Sequence, residues 1–320
     1  MRILKRNLPA SSIFAIAAVA CTMYSMSVSF LQTQKNSDNK LQIVATTTML
    51  FDLTSEIAGD IAYVTGLMGA GIDPHLYQAS AGDVTKMQAA DVVVYTGLHL
   101  EGRMGDVFRS LEKLGRTVIC VADGIAESKL IRDAESSQFD PHIWFDASLW
   151  KDAAHEVAKG LCAADVENSS AYNENLEAYL SQLDDLEQYI TQRISELDES
   201  RRVLITAHDA FKYFGRAYGF EVLGLCGINT GSEAGTADVS TLARIIAERE
   251  IHAVFIETSV PPKNIEALTA AVRAHGFFTT PGGELHSDSL GGSGSGCDTY
   301  IKAFRANVDT IVDALNEGAA

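Results

Sequence analysis

The chain has 320 residues, 47% hydrophobic and 21% charged, a composition that supports a sizeable core and fits two lobes of ordinary size. Its formal charge is −17, which disfavours nucleic acid and anionic membrane surfaces and raises the local concentration of cations. None of the 42 acidic residues lies in the first twenty, so loss of that segment, with Arg2, Lys5 and Arg6, takes the charge to −20.

The N-terminus reads as a targeting segment. Arg2, Lys5 and Arg6 precede an apolar run, Ile13 to Ala20, that ends in Ala-Val-Ala before Cys21. A basic n-region, an apolar h-region and a small-residue end make a secretory signal peptide over residues 1–20. The run is short for a membrane span. A cysteine directly after the small residues resembles a bacterial lipoprotein box, with Cys21 as the lipidated residue and Ala18 standing where leucine is usual. The alternative is an uncleaved anchor helix continuing through Met23 to Leu31. Residues 21–40 then form a polar tether.

From residue 41 short apolar runs alternate with helical stretches. Strands are expected at Leu41–Thr46, Ile61–Met68, Asp91–Tyr95 and Thr117–Val121, with helices at Leu50–Ala58 and Ser80–Ala90. Such alternation with β-branched strands predicts a parallel sheet covered by helices. From about Val166 to Glu199 there is no glycine or proline, and Leu176, Tyr179, Leu180, Leu183, Leu186, Tyr189, Ile190 and Ile194 recur at helical spacing. That pattern is one long amphipathic helix. The scheme then repeats, with strands expected at Val203–Ala207, Phe220–Leu225, Ala253–Glu257 and Phe277–Thr280. Helices are expected around Asp209–Ala217, Ser240–Arg249 and Lys263–Ala274. The predicted fold is therefore α/β: an N-terminal lobe over 41–165, a rigid linking helix over 166–200, and a C-terminal lobe over 201–320.

The residues that carry chemistry begin with an internal echo, Asp73-Pro74-His75-Leu76-Tyr77 and Asp140-Pro141-His142-Ile143-Trp144. Proline fixes its own φ and restricts the residue before it, so each histidine has little freedom of approach. The aspartate two residues back suits an outer-shell role, and the aromatic two residues on suits a wall against water. His208 stands at the carboxyl end of an expected strand as a helix begins, and Asp288 stands in a loop after the last strand. All four fall beyond strand carboxyl ends, where open α/β sheets place ligands. Three imidazoles and one carboxylate suit zinc, manganese or iron(II) and are too nitrogen-rich for calcium or magnesium. Four protein donors also leave little room for a substrate water, unlike the three-ligand catalytic zinc site. Binding without chemistry is the inference, and the chain is not expected to be an enzyme.

His99, His155, His252, His275 and His286 share no spacing and read as surface or packing residues. Glu257 ends a buried strand, and an internal hydrogen-bonded role is expected for it. The glycines around Asp288 precede no P-loop lysine, so phosphate cradling is not supported. Cys120, Cys162, Cys226 and Cys297 are scattered, with no C-x-x-C pair. Export would permit one disulfide, Cys226–Cys297, but buried free thiols are the expected state.

Several separated segments resemble one family in order: the two D-P-H stretches, Ala207 to Phe220, Phe255 to Thr258, and the D-S-L-G segment at Asp288. From Leu41 to the C-terminus the chain is similar to the TroA-type metal-binding proteins of ABC importers. The resemblance implies a C-clamp of two lobes bridged by a long helix, with manganese or zinc as cargo and iron as a third candidate. It implies His75, His142, His208 and Asp288 as metal ligands and an ABC permease as partner. With the N-terminal signal and Cys21, the expectation is a membrane-anchored monomer on the periplasmic or outer face of a bacterial membrane. Some relatives have glutamate at the position matching His208; this chain has not. Zinc-dedicated relatives often carry a His-rich loop before the second D-P-H, whereas Glu127 to Phe139 holds no histidine, which argues against a zinc-only role. The competing readings are a lipoprotein adhesin with a structural metal and, further off, a zinc hydrolase, for which no H-E-x-x-H arrangement is present. Six glycines between Gly282 and Gly296 lead to one more expectation, that release loosens the segment carrying Asp288.

Overall fold

A computed structural model describes residues 40–133, 136–231 and 234–317. The signal segment, Cys21 and nearly all of the tether lie outside the described residues. Among the described residues no helix is long and apolar enough to cross a membrane.

Among the described residues, eight short strands all pair in parallel. β1 (Gln42–Ala45), β2 (Tyr63–Gly66), β3 (Val92–Tyr95) and β4 (Thr117–Cys120) form one sheet in the order β2-β1-β3-β4. Parallel strands need crossovers, and α1 (Thr48–Ala58), α2 (Ala81–Ala89) and α3 (Gly105–Lys113) supply them. The ends of these helices are written in the sequence. The Thr47 hydroxyl accepts from Leu50 N–H to cap α1, and Ser80 with Asp83 makes a capping box on α2. Val44, Val93, Met68, Met87, Met104, Phe108 and Leu111 pack as the core of this lobe.

The second lobe holds two parallel pairs, β5 (Val203–His208) with β6 (Glu221–Cys226), and β7 (Ala253–Glu257) with β8 (Thr280–Leu285). They are covered by α6 (Lys212–Tyr218), α7 (Thr236–Glu248) and α8 (Lys263–Ala274). Its core joins Ile205, Val254, Leu242, Ile246, Leu268 and Val272.

The last strand departs from expectation: it runs Thr280–Leu285, not Phe277–Thr280. Phe278 is exposed, while the unpromising sequence Thr-Pro-Gly-Gly pairs with β7 across a register shift at Val254/Phe255. The reason is the last helix, α9 (Tyr300–Glu317), which lies against β8. A Cβ on Gly282 would stand 2.8 Å from the Ala314 Cβ, and one on Gly283 would stand 2.4 Å from the Thr310 Cγ2. Glycine is what lets helix and strand approach so closely.

Between the lobes run α4 (Ala147–Ala164) and the long helix α5 (Ser169–Ile194). α5 has 26 residues and is about 39 Å long at the usual rise. It is shorter than the expected 166–200: 3-10 turns stand at 166–168 and 199–201, and at the helix ends the Ser169 and Ser195 hydroxyls bond the Val166 and Gln192 carbonyls. Tyr172, Leu176, Tyr179, Leu183, Leu186, Ile190 and Ile194 form its buried stripe. Its first half is tied to the N-terminal lobe: Asn175 donates to the Ile57 carbonyl and the Trp150 indole donates to the Tyr179 hydroxyl. Its second half is tied to α9, where Tyr189 and Arg193 both bond Asp309.

Cys120, Cys162, Cys226 and Cys297 are all free, and of these Cys226 is the buried one. The Cys226–Cys297 bridge is absent because Cys226 faces Asn264, whereas Cys297 is folded back on Gly291 within its own loop.

Candidate metal centre

His75, His142, His208 and Asp288 meet at one point, their nitrogen and oxygen donors all within 4.8 Å of one another, and all four are buried. Each arrives from a different chain segment beyond a strand end. His75 lies in the loop after β2, and His142 lies in the segment between β4 and α4. His208 is the last residue of β5, and Asp288 follows β8. The turn after β5 is tight. A Cβ on Gly224 would stand 2.7 Å from the Asp209 backbone, so the neighbouring strand must carry glycine for His208 to be delivered here.

The donor spacings decide what the cluster can do. His142 Nε2 lies 3.2 Å from His75 Nε2, 3.3 Å from His208 Nε2 and 3.4 Å from Asp288 Oδ1. Asp288 Oδ2 lies 3.3 Å from His208 Nε2 and 3.8 Å from His75 Nε2. A tetrahedral ion about 2.0–2.1 Å from each donor sets neighbouring donors roughly 3.3–3.4 Å apart. The residues fit a divalent transition metal.

Two imidazoles are backed by carboxylates. His142 Nδ1 is 2.7 Å from Asp140 Oδ1, and His208 Nδ1 is 2.6 Å from Glu257 Oε2. A proton on His142 Nδ1, bonded to Asp140, leaves its Nε2 lone pair pointing at the centre, the tautomer that ligation requires, whereas His208 Nδ1 lies close to Glu257 Oε2 without hydrogen-bond geometry. Glu257 also accepts from the His208 backbone N–H, which is the internal role expected of it. Asp288 Oδ1 is buried without a hydrogen-bond partner.

The electrostatics favour positive charge. Burial opposes protonation of His142, yet Asp140 and Asp288 lift it to about 9. Burial likewise opposes His208, and Glu257 with Asp288 overrides it, holding the ring well above the usual imidazole range. His75 has no such backing carboxylate, and burial pushes it down to about 3. Burial raises Asp288, but the three imidazoles outweigh it and hold the carboxyl well below its ordinary value. Three carboxylates around three imidazoles make a dry pocket suited to a cation.

The remaining expectations divide. His99, His155, His252 and His275 are exposed, and His286 turns its backbone to Asn307 on α9, so none joins the cluster. Trp144 does wall the site, its ring edge-on to His142 at 5.3 Å. Tyr77 does not, since its hydroxyl donates to Asp83 and it packs in the N-terminal core. In the segment carrying Asp288, Gly282 and Gly283 belong to β8 and Ser287 to Leu290 are buried, while Gly292 to Gly296 are exposed. Sequence reasoning missed the serines at 259, 287 and 289. The signal available was their position beside Glu257 and Asp288.

Two lobes of parallel strands joined by a long helix, with a buried three-histidine, one-carboxylate cluster at their junction, define the class of helix-linked metal receptors. The chain belongs to the ZnuA family, described as "Zinc-uptake complex component A periplasmic", which matches residues 43–314. It is 45% identical over 279 residues to the zinc-binding protein TroA of Treponema pallidum, covering 87% of this chain and 90% of that one. It is 43% identical over 283 residues to the manganese-binding lipoprotein MntA of Bacillus subtilis, covering 88% and 92%. The solved structure of the periplasmic zinc-binding protein TroA from Treponema pallidum superimposes with a TM-score of 0.84, covering 87% of this chain and 99% of that one.

Proposed function

We propose that this chain is an extracytoplasmic solute-binding protein that captures one divalent transition-metal ion, manganese or zinc with iron as a third candidate, and delivers it to an ABC permease. His75, His142, His208 and Asp288 are the proposed ligands. One observation carries the reading: four buried donors from four chain segments lie within 4.8 Å of one another, one of them with its ring tautomer set by a carboxylate. Capture without catalysis follows from the donor count, because four protein ligands fill the coordination that a hydrolase leaves open for water. The lobes proposed are 41–165 and 201–320, with 166–200 between them as a strut that limits their relative motion.

The test is metal content and affinity of the purified mature protein by elemental analysis and titration calorimetry, with circular dichroism before and after chelation. One exchangeable ion per chain and an unchanged fold after chelation are expected. Unfolding on chelation would make the metal structural instead. Relative affinity will not choose between the metals, since zinc binds most nitrogen and oxygen sites more tightly than manganese.

Anchoring through Cys21 and action as a monomer complete the reading; the basic, apolar, small-residue order before Cys21 supports the anchor. Cys21→Ala should abolish incorporation of labelled lipid. An unaltered protein that takes no label returns the choice to the uncleaved helix.

A further inference from the structure

The four proposed ligands come two from each half of the chain, but their supports do not divide that way. Asp288 follows β8 of the C-terminal lobe, and yet the backbone on either side of it is held by the N-terminal lobe. The Trp144 indole Nε1 donates to the Ser287 carbonyl at 3.0 Å. Gly71 N–H donates to the Ser289 hydroxyl at 2.8 Å. Leu290 N–H donates to the Thr48 hydroxyl at 2.8 Å. One residue before Asp288, one after it and one two beyond are therefore pinned to the loop after β2, the start of α1 and the second D-P-H turn. Ser287, Asp288 and Ser289 are each no more than 2% exposed, so these bonds are shielded from water.

The hold from the C-terminal lobe is weaker at this point. Ser259 reaches the Ser287 hydroxyl at 2.9 Å and the Asp288 carboxylate at 3.5 Å, the latter near the limit of a hydrogen bond. The firm anchor on that side comes earlier, where Asn307 bonds both backbone groups of His286. The change of allegiance falls between His286 and Ser287. His208, by contrast, is fastened wholly within its own lobe, by β5 and by Glu257 at the end of β7.

We infer that Asp288 is positioned by the N-terminal lobe, with Trp144, Thr48 and Ser289 as its positioning residues. The centre thus divides three to one, His75, His142 and Asp288 against His208. Trp144 has two roles in this arrangement, its ring against His142 and its N–H on the strand of chain that carries Asp288. Any relative displacement of the lobes then acts first on the distance between His208 and the other three. The inference rests on the metal-capture reading.

A double-mutant cycle on the full mature chain tests it, with zinc as probe, affinity read by chelator competition, and thermal unfolding of the metal-free protein as the check on fold. Thr48→Val with Trp144→Phe removes two of the three bonds; the first swap keeps the volume and the second keeps an aromatic ring against His142. In the parent this pair should weaken zinc binding about 10-fold, the lower end for loss of outer-sphere partners. In an Asp288→Ala background the same pair should change affinity by less than about two-fold, because its route to the metal is gone. Ser259→Ala should cost less than the pair. Undiminished loss in the Asp288→Ala background would show a general effect on the fold and overturn the inference, as would a larger loss from Ser259→Ala. Should the paired variant fail to fold, Ser289→Ala reads the same seam under the same criteria. An unaltered protein that takes up no zinc overturns the metal-capture reading, and this inference with it.

Discussion

The two D-P-H turns are the same tripeptide with different surroundings, and their divergence is instructive. In the second turn Asp140 folds onto its own histidine, accepting from the His142 backbone at 2.9 Å and facing the ring at 2.7 Å. In the first, Asp73 accepts from the His75 backbone at 2.8 Å, but its other oxygen takes the Thr230 hydroxyl of the C-terminal lobe at 2.5 Å. One aspartate orients a proposed ligand; the other links two lobes. The rings respond accordingly, His142 being lifted and His75 depressed. A motif fixes the local turn. What its side chain does depends on which neighbour the fold supplies.

Removing a ligand is the coarsest way to probe this comparison. His142→Ala should weaken metal binding beyond the roughly 100-fold that loss of an outer-sphere partner costs, with the fold intact by circular dichroism. His99→Ala, at an exposed site, should change little. Equal losses by calorimetry from the two would break the assignment of the site.

A finer cut separates the two aspartates. Asp140→Asn removes the carboxylate that sets the His142 tautomer and should cost about 10- to 100-fold in affinity. Asp73→Asn leaves the His75 ring untouched and should cost less. A larger loss from Asp73→Asn would mean that the first turn, not the second, does the orienting.

The smallest expected effect comes from a buried carboxylate that faces no imidazole. Asp52 on α1 accepts from Tyr300 N–H, the first residue of α9, and burial raises it from 3.8 to about 6. A folded value above the unfolded one means that stability from protonation is fully present below about 3.8 and is lost as pH rises through about 6. Asp52→Asn keeps the acceptor without the charge. Relative to the parent it should gain on the order of 1–2 kcal/mol between pH 4 and pH 7, measured by chemical denaturation at both pH values. A constant difference between the proteins across that range would show that burial does not tune Asp52.

Seven of the eight strands lie within the runs expected of them or within a residue of those runs, because buried parallel strands are written as β-branched apolar stretches such as Val92-Val-Val-Tyr95. The four proposed ligands were legible for a related reason: proline-restricted turns and strand ends are local features, and each delivers its residue to the carboxyl edge of a sheet. Glu257 was legible as a buried strand end, although its partner was not. The eighth strand was not legible, since Thr280-Pro-Gly-Gly reads as a loop until α9 presses on it and makes glycine the residue that fits. The turning away of Tyr77 and the reach of Asp73 to Thr230 were likewise beyond a linear reading. So were the bonds by which Trp144, Thr48 and Gly71 hold the flanks of Asp288. Turn geometry, strand identity and ligand chemistry depend on neighbours a few residues away, and the sequence alone determined them. Many buried polar groups instead find partners 49 to 248 positions distant, as for His208 with Glu257, Leu290 with Thr48 and Tyr300 with Asp52, and only the tertiary structure decided those pairings.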